Sequence, residues 1–181
     1  MITLKKQLIS YLSKRKFKSQ SAFTLVELIV VVVIIGILSS IAIPSFQSAA
    51  EKAKQKEAST AVGSYLKAAQ AFYTEYGTLA YRAVDIGEYV KVTACRYNSA
   101  QNCKTRPNAL VDYSRSTTTN WYSQSGNYRI ILSRTGNTRL NVLANPNTPS
   151  GLGVAGCFNV STGATKLEDK STTGTVRAIQ C

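Results

Sequence analysis

The apolar residues of this chain are unevenly placed. Leu28 to Ile43 is a run of sixteen residues without a charge. Taken as a helix from Phe23, rising about 1.5 Å per residue, the segment to Ile43 is long enough to cross a ~30 Å hydrocarbon layer. From Ser45 to Tyr76 the pattern turns amphipathic. Phe46, Ala49, Ala53, Ala61, Tyr65, Ala69, Phe72 and Tyr76 recur mostly at three- and four-residue steps and predict a core-facing stripe, opposite Glu51, Lys52, Lys54, Lys56, Glu57 and Lys67. Gly77 suits a helix stop. One helix is therefore expected over 23–76, its first half in lipid and its second half carrying a head. Beyond it the helical period is lost. Tyr128–Ser133 and Arg139–Ala144 read as two strands joined by a turn at Arg134–Thr138, and 154–160 and 175–181 read as two more. The segment 77–127 gives no clear pattern. The expected fold class is α+β, a long N-terminal helix packed on a small antiparallel sheet.

Charge sharpens the N-terminal picture. The formal net charge is +13, and Lys5, Lys6, Lys14, Arg15, Lys16 and Lys18 contribute six positive charges before residue 23 with no negative one. Without that stretch sixteen basic residues face nine acidic ones, a net +7. A secretory signal places its small-residue cleavage site after the apolar core. Here Ser-Gln-Ser-Ala (19–22) comes before it, so a cut there removes the charged leader and keeps the apolar helix. Glu27 is the second anomaly. A carboxylate inside a membrane-length segment costs roughly a few kcal/mol and points to a function, the plainer reading being a side chain that snorkels to the membrane edge.

Ala-Phe-Thr-Leu-Val-Glu-Leu at 22–28, followed by Ile-Ile-Gly-Ile-Leu at 34–38 and Ile-Ala-Ile-Pro at 41–44, resembles the type IV pilin signature. The resemblance covers about 25 of the 181 residues closely. It implies cleavage by prepilin peptidase between Ala22 and Phe23, N-methylation of Phe23, and assembly roles for Glu27, Gly36 and Pro44. At one position the chain departs from the family, carrying Ala22 where a glycine usually precedes the cut. The implied organisation is a basic leader (1–22), a transmembrane and assembly helix (23–44), an amphipathic helix on the head (45–76) and a β-rich head with a disulfide loop (77–181). The implied partners are further copies of the chain in a homo-oligomeric filament, prepilin peptidase, the inner-membrane pilus assembly machinery, and the membrane before assembly. The implied location is the inner membrane as precursor and then the cell surface. In such a helix bundle the Phe23 ammonium of one subunit and Glu27 of another offset each other's desolvation, so the pair acts as a register pin. Gly36 and Pro44, with Ser39 and Ser40 between them, weaken the helix where the family resemblance implies local melting in the filament.

The four cysteines, Cys95, Cys103, Cys157 and Cys181, all follow the apolar block, and an even number in an exported region favours two disulfides. Three pairings exist. Cys95–Cys103 and Cys157–Cys181 are favoured, since the second ties down the last residue and resembles the C-terminal disulfide loop of many pilins. A four-cysteine metal site lacks any Cys-x-x-Cys spacing. With no histidine and no Gly-rich phosphate loop, no catalytic constellation and no cofactor are expected. Glu168-Asp169 has the chemistry of two calcium ligands but reads as solvated charge. A pseudopilin of type II secretion shares the N-terminal signature and is the chief rival. A DNA-binding minor pilin is the other alternative: Tyr81-Arg82, Arg96-Tyr97, Trp121-Tyr122 and Tyr128-Arg129 mix aromatics with positive charge. DNA is not the favoured partner, because no contiguous basic run appears in the head.

Overall fold

A computed structural model describes residues 23–181. The leader (1–22), with Ala22 of the expected cleavage site, lies outside the described residues. The chain divides at Pro44 into two units, although a single helix, α1 (Leu25–Tyr76), runs through the boundary. In the first unit α1 has no buried residue, and valines and isoleucines face outward on every side. Such residues have modest helix propensity in water, but in lipid the backbone closes its hydrogen bonds within the segment. Pro44 has no N–H to offer the Ser40 carbonyl, yet the helix continues through it.

The second unit, Ser45–Cys181, is the remainder of α1 packed on a seven-stranded sheet. In chain order come α2 (Ala83–Gly87), β1 (Thr93–Cys95), α3 (Ala100–Thr105), β2 (Leu110–Asp112), β3 (Asn120–Tyr122), β4 (Tyr128–Thr135), β5 (Arg139–Pro146), β6 (Leu152–Asn159) and β7 (Thr165–Thr173). The sheet order is β2-β1-β3-β4-β5-β6-β7, antiparallel throughout. The strands β3 to β7 follow one another as a meander, which puts most pairing close in sequence. The segment 77–127, silent in the sequence, supplies two short helices and three three-residue strands.

The inner face of the sheet meets α1. Val62, Tyr65, Leu66 and Ala69 pack with Trp121, Tyr128, Ile130, Leu132, Val142 and Val154, all buried. Tyr65 meets Trp121 edge-on at 5.4 Å between ring centroids, a favoured aromatic geometry. The buried stripe of α1 is Gln55, Ala58, Ser59, Val62, Tyr65, Leu66, Ala68 and Ala69, which corrects the expected one. Tyr65 and Ala69 belong to it, Ala61 and Phe72 lie at its margin, and Phe46, Ala49, Ala53 and Tyr76 are exposed. Small residues win the contact because α1 comes close to the sheet at Gly156. A Cβ built there would stand 2.6 Å from Val62 Cγ1 and 2.7 Å from Leu66 Cδ1. Gln55 is tolerated inside because its amide nitrogen donates to Gly153 O and Lys170 O, beside the irregularity where β6 and β7 shift register between Leu152 and Val154. Tyr128 closes the same end, its hydroxyl donating to Leu152 O at 2.9 Å.

Gly77 ends α1 in the left-handed conformation, φ +68°, with its amide on Tyr73 O. The next turn is tied back to the helix by Tyr76 Oη on Glu88 and Tyr89 Oη on Glu75. Asp85 organises α2. Burial works against its charge, but the amides of Tyr81 and Arg82 and the Arg82 guanidinium outweigh that and hold the carboxyl below its ordinary range.

The C-terminal segment differs from expectation: 175–181 is not a strand, and the last strand is Thr165–Thr173. After Gly174 (φ +99°) the chain leaves the ladder and lies across the outer face of β5 and β6. Val176 N donates to Asn145 Oδ1 at 2.6 Å and Ile179 N to Asn141 Oδ1 at 2.9 Å. Val176 and Ile179 bury themselves against Leu143, Ala155 and Cys157. A strand-like apolar alternation was present, but its backbone amides are met by asparagine side chains rather than by a neighbouring strand. Two disulfides hold the unit: Cys95–Cys103 joins β1 to α3, and Cys157–Cys181 joins β6 to the last residue.

Candidate assembly segment

The segment from Phe23 to Pro44 carries the chemistry the sequence singled out. Phe23 is 82% exposed. Thr24 and Glu27 form a reciprocal cap at the start of α1. Glu27 Oε2 accepts from both Thr24 N and Thr24 Oγ1 at 2.9 Å, and Thr24 Oγ1 accepts from Glu27 N at 3.2 Å. The pattern Thr-x-x-Glu before an apolar run is the sequence mark of such a box, and it satisfies amides that a helix otherwise leaves open. Glu27 thus has local partners within the chain, and the carboxylate also faces the positive end of the helix dipole. Thr24 was not singled out in the sequence, although this spacing was there to find it.

Glu27 is the only charged residue from Phe23 to Pro44. Further along, a Cβ placed on Gly36 would meet nothing within 4 Å. Ser40 Oγ donates back to Ile37 O at 2.7 Å, a contact that loosens a helix slightly. Together with the missing donor of Pro44, it leaves the turn Ile37–Pro44 less tightly bonded than its neighbours. Among the described residues α1 is the one helix long and apolar enough to cross a membrane. Of the residues singled out in the sequence, the four cysteines are joined in their two expected pairs in the second unit; Phe23, Glu27, Gly36 and Pro44 stand at separate positions along the segment, and Glu27 is met by Thr24 instead.

The acidic pair weighed as a cation site is occupied otherwise. Glu168 lies between Lys170 Nζ at 2.5 Å and Lys166 Nζ at 3.5 Å, and Asp169 pairs with Lys56 at 2.6 Å. The Lys170 hydrogen bond, helped by Lys166, holds the Glu168 carboxyl below its ordinary range. No group of three or more metal-ligating side chains occurs among the described residues.

Residues 17–43 match the prokaryotic N-terminal methylation motif. The chain is 43% identical over 65 residues to the type IV major pilin protein PilA of Myxococcus xanthus (strain DK1622), covering 36% of this chain and 30% of that protein. It is 38% identical over 58 residues to the fimbrial protein EcpC of Eikenella corrodens, 32% of this chain and 38% of that one. To the type II secretion system core protein G of Vibrio cholerae serotype O1 it is 48% identical over 46 residues, 25% of this chain and 32% of that protein. The chain spans about a third of the length of the curated relatives it matches. No solved structure matches it significantly. The motif match and the apolar α1 together mark an N-terminal helix similar in class to those of type IV pilins. The chain is similar to type IV pilins, with the likeness concentrated in that helix.

Proposed function

We propose that this chain is the structural subunit of a type IV pilus, made as an inner-membrane precursor and polymerised into a surface filament. Prepilin peptidase removes residues 1–22 by cutting between Ala22 and Phe23, and Phe23 is then N-methylated. Residues 23–44 serve first as membrane anchor and then as the assembly helix, 45–76 carry the head, and 77–181 form it. The observation that carries this reading is a helix bare of buried contacts from Leu25 to Ile43 with a single carboxylate, self-capped by Thr24, four residues from the proposed new N-terminus. The apolar surface suits lipid before assembly and other helices afterwards. The carboxylate, free to exchange its Thr24 partner for an ammonium from another copy, sets the axial register, because a slip leaves a charge unmatched in an apolar bundle. The loosened turn from Ile37 to Pro44 is the segment that melts and lets the filament stretch.

Mass spectrometry of the N-terminal peptide tests the reading: mature protein should begin at a methylated Phe23. Filaments that form normally from a chain retaining its lysine-rich leader would overturn it. The match to a type II secretion core protein favours a second reading, a pseudopilin working in secretion. Sheared surface filaments made mainly of this chain support the pilus. A secretion defect without loss of surface filaments supports the pseudopilin.

A further inference from the structure

The sheet is barely closed between β1 and β3. One pair joins them, Cys95 with Tyr122, and the ladder stops there. The same register carried two steps further would set Thr93 opposite Gln124, but that pair is not formed. Ser123 stays with β4, its amide donating to Tyr128 O at 2.8 Å. Thr93, Ser123 and Gln124 line a cleft of about 390 Å³ between this gap and α1, a volume in the range of small-molecule sites. On the helix side the wall is Glu57, Ala61 and Tyr65. Their four-residue steps place them on one face, about 12 Å from first to last. Lys91, just before β1, and Ile130 of β4 complete the lining.

The floor lacks a hydrogen-bond acceptor. Tyr65 is 7% exposed, and burial pushes its hydroxyl above the ordinary range, so it keeps its proton. The polar group beside it is Trp121 Nε1, which is buried and has no hydrogen-bond partner. An indole N–H can only donate, so it gives the Tyr65 proton nothing to bond. Two donors left without an acceptor are costly, and an oxygen entering from the cleft supplies one. Around them the floor is apolar, with Ile130 buried and Ala61 half-buried. The rim carries opposite charges. Glu57 and Lys91 are both exposed, and among the described residues neither has an opposite charge within 4 Å. The lysines nearest Glu57 in sequence are engaged elsewhere, Lys54 with Glu51 and Lys56 with Asp169. Asp112, which feels the Lys91 charge, accepts from Ser114 N at 2.8 Å instead.

We propose that this cleft binds a short peptide of two or three residues by its two free ends. The peptide ammonium pairs with Glu57, its carboxylate takes Lys91 and the Tyr65 hydroxyl, and an apolar side chain rests on Ala61 and Ile130. Three features select that ligand. Opposite charges on the two walls favour a zwitterion over a simple anion or cation. The apolar floor between them favours a ligand with a hydrocarbon side chain. The length of the wall favours a peptide over a single amino acid, whose two charged groups sit on one carbon, whereas an extended chain gains about 3.3 Å per residue. Capture of a free peptide end is a recurring mode of recognition, and here both ends are provided for. This role is separate from polymerisation and does not depend on it.

The test uses the full mature chain, unassembled in detergent micelles, and the tripeptide Ala-Leu-Ala. Trp121 is the only tryptophan of the chain, so indole emission reports an acceptor arriving beside Tyr65. The emission should change saturably with peptide, reaching its plateau by about 10 mM. Acetylating the peptide amine should weaken binding about ten-fold in the parent and have no effect in Glu57→Gln, because the partner is already gone. Amidating the peptide carboxyl should behave the same way against Lys91→Met. Both substituted residues are exposed, which leaves the fold intact. Tyr65→Phe, which keeps the ring, should weaken binding several-fold and leave the acetylation effect unchanged. The exposed Lys67→Ala on α1 should alter nothing. No saturable change by that concentration overturns the proposal. So does equal affinity for the doubly capped peptide, which would mark an apolar groove only, or acetylation that weakens Glu57→Gln as much as the parent. Free leucine binding as well as the tripeptide would overturn the two-ended span.

Discussion

Gln55 on the long helix donates from one side-chain nitrogen to Gly153 O at 2.9 Å, ninety-eight residues away in the chain, and to Lys170 O at 2.7 Å. The two carbonyls flank the register shift between β6 and β7. A bulge leaves backbone groups unpaired, and here a helix side chain supplies the missing donor. Helix and sheet edge are thereby joined at one atom.

Gln55→Ala should strand the buried carbonyls and cost about 2 kcal/mol. For a unit of this size that is a fall in melting temperature of roughly 4–8 °C, measurable by circular dichroism of the detergent-solubilised chain. A change under 1 °C would mean that water substitutes for the amide.

Gly156 sets how closely α1 lies on the sheet. Gly156→Ala should destabilise by roughly 1–3 kcal/mol through overpacking against Val62 and Leu66. Leu66→Ala, destabilising by itself, should recover part of that loss in the double variant. Denaturant titration of the four proteins checks it, and strictly additive effects would show that the two positions do not press on each other.

Burial pushes the Tyr128 hydroxyl up to about 12, with the charges of Glu51, Glu57 and Asp169 adding to it. A tyrosine ordinarily titrates near 10, so the folded state holds its proton more tightly than the unfolded one. The contribution is complete below pH ~10 and is lost as pH rises from there through about 12. Tyr128→Phe should therefore show a flatter stability profile between pH 10 and 12 than the parent, besides losing about 1 kcal/mol with the hydrogen bond to Leu152 O. Parallel profiles would refute the assignment.

The disulfide Cys157–Cys181 closes a separation of 24 residues, which in the chain-entropy account is worth about 3 kcal/mol. The double variant Cys157→Ala/Cys181→Ala should lose that much, and hydrogen exchange should quicken first at Val176 and Ile179, whose amides rest on Asn145 and Asn141. Retained protection there would mean the two carboxamides alone hold the segment.

At the other end of the chain, Glu27→Ala should leave membrane insertion intact and sharply reduce filament yield. Thr24→Val, which keeps the carboxylate but removes its hydroxyl partner, should reduce yield less. Normal yield from Glu27→Ala removes the register argument.

The long helix and its apolar first half were legible because they rest on local composition and period, and the central hairpin because two short apolar runs flank the turn at Gly136. The buried stripe of α1 was misjudged. The sequence weights Phe46 and Ala53 by hydrophobicity, whereas position relative to the sheet selects Gln55, Ser59 and Ala58. Gln55 reads as a surface residue until the unpaired carbonyls it serves are known. The last strand was misplaced for a related reason. Thr175–Cys181 has the alternation of a strand, while Thr165–Thr173 is polar because it forms an exposed edge, with Lys166, Glu168, Asp169 and Lys170 guarding it against further pairing. The segment 77–127 was opaque because its short strands have meaning only through their register. In the assembly segment Glu27 stood out as a charge among apolar residues. The Thr24 cap needed only the three-residue spacing to be noticed.

The carboxamides of Asn141 and Asn145 grip the main chain of residues 176 and 179, not its side groups. Arg177, Ala178 and Gln180, all exposed, take no part in that attachment. Exchanges at those three places leave the fastening untouched, so the outward chemistry of this ribbon can change without cost to the fold beneath.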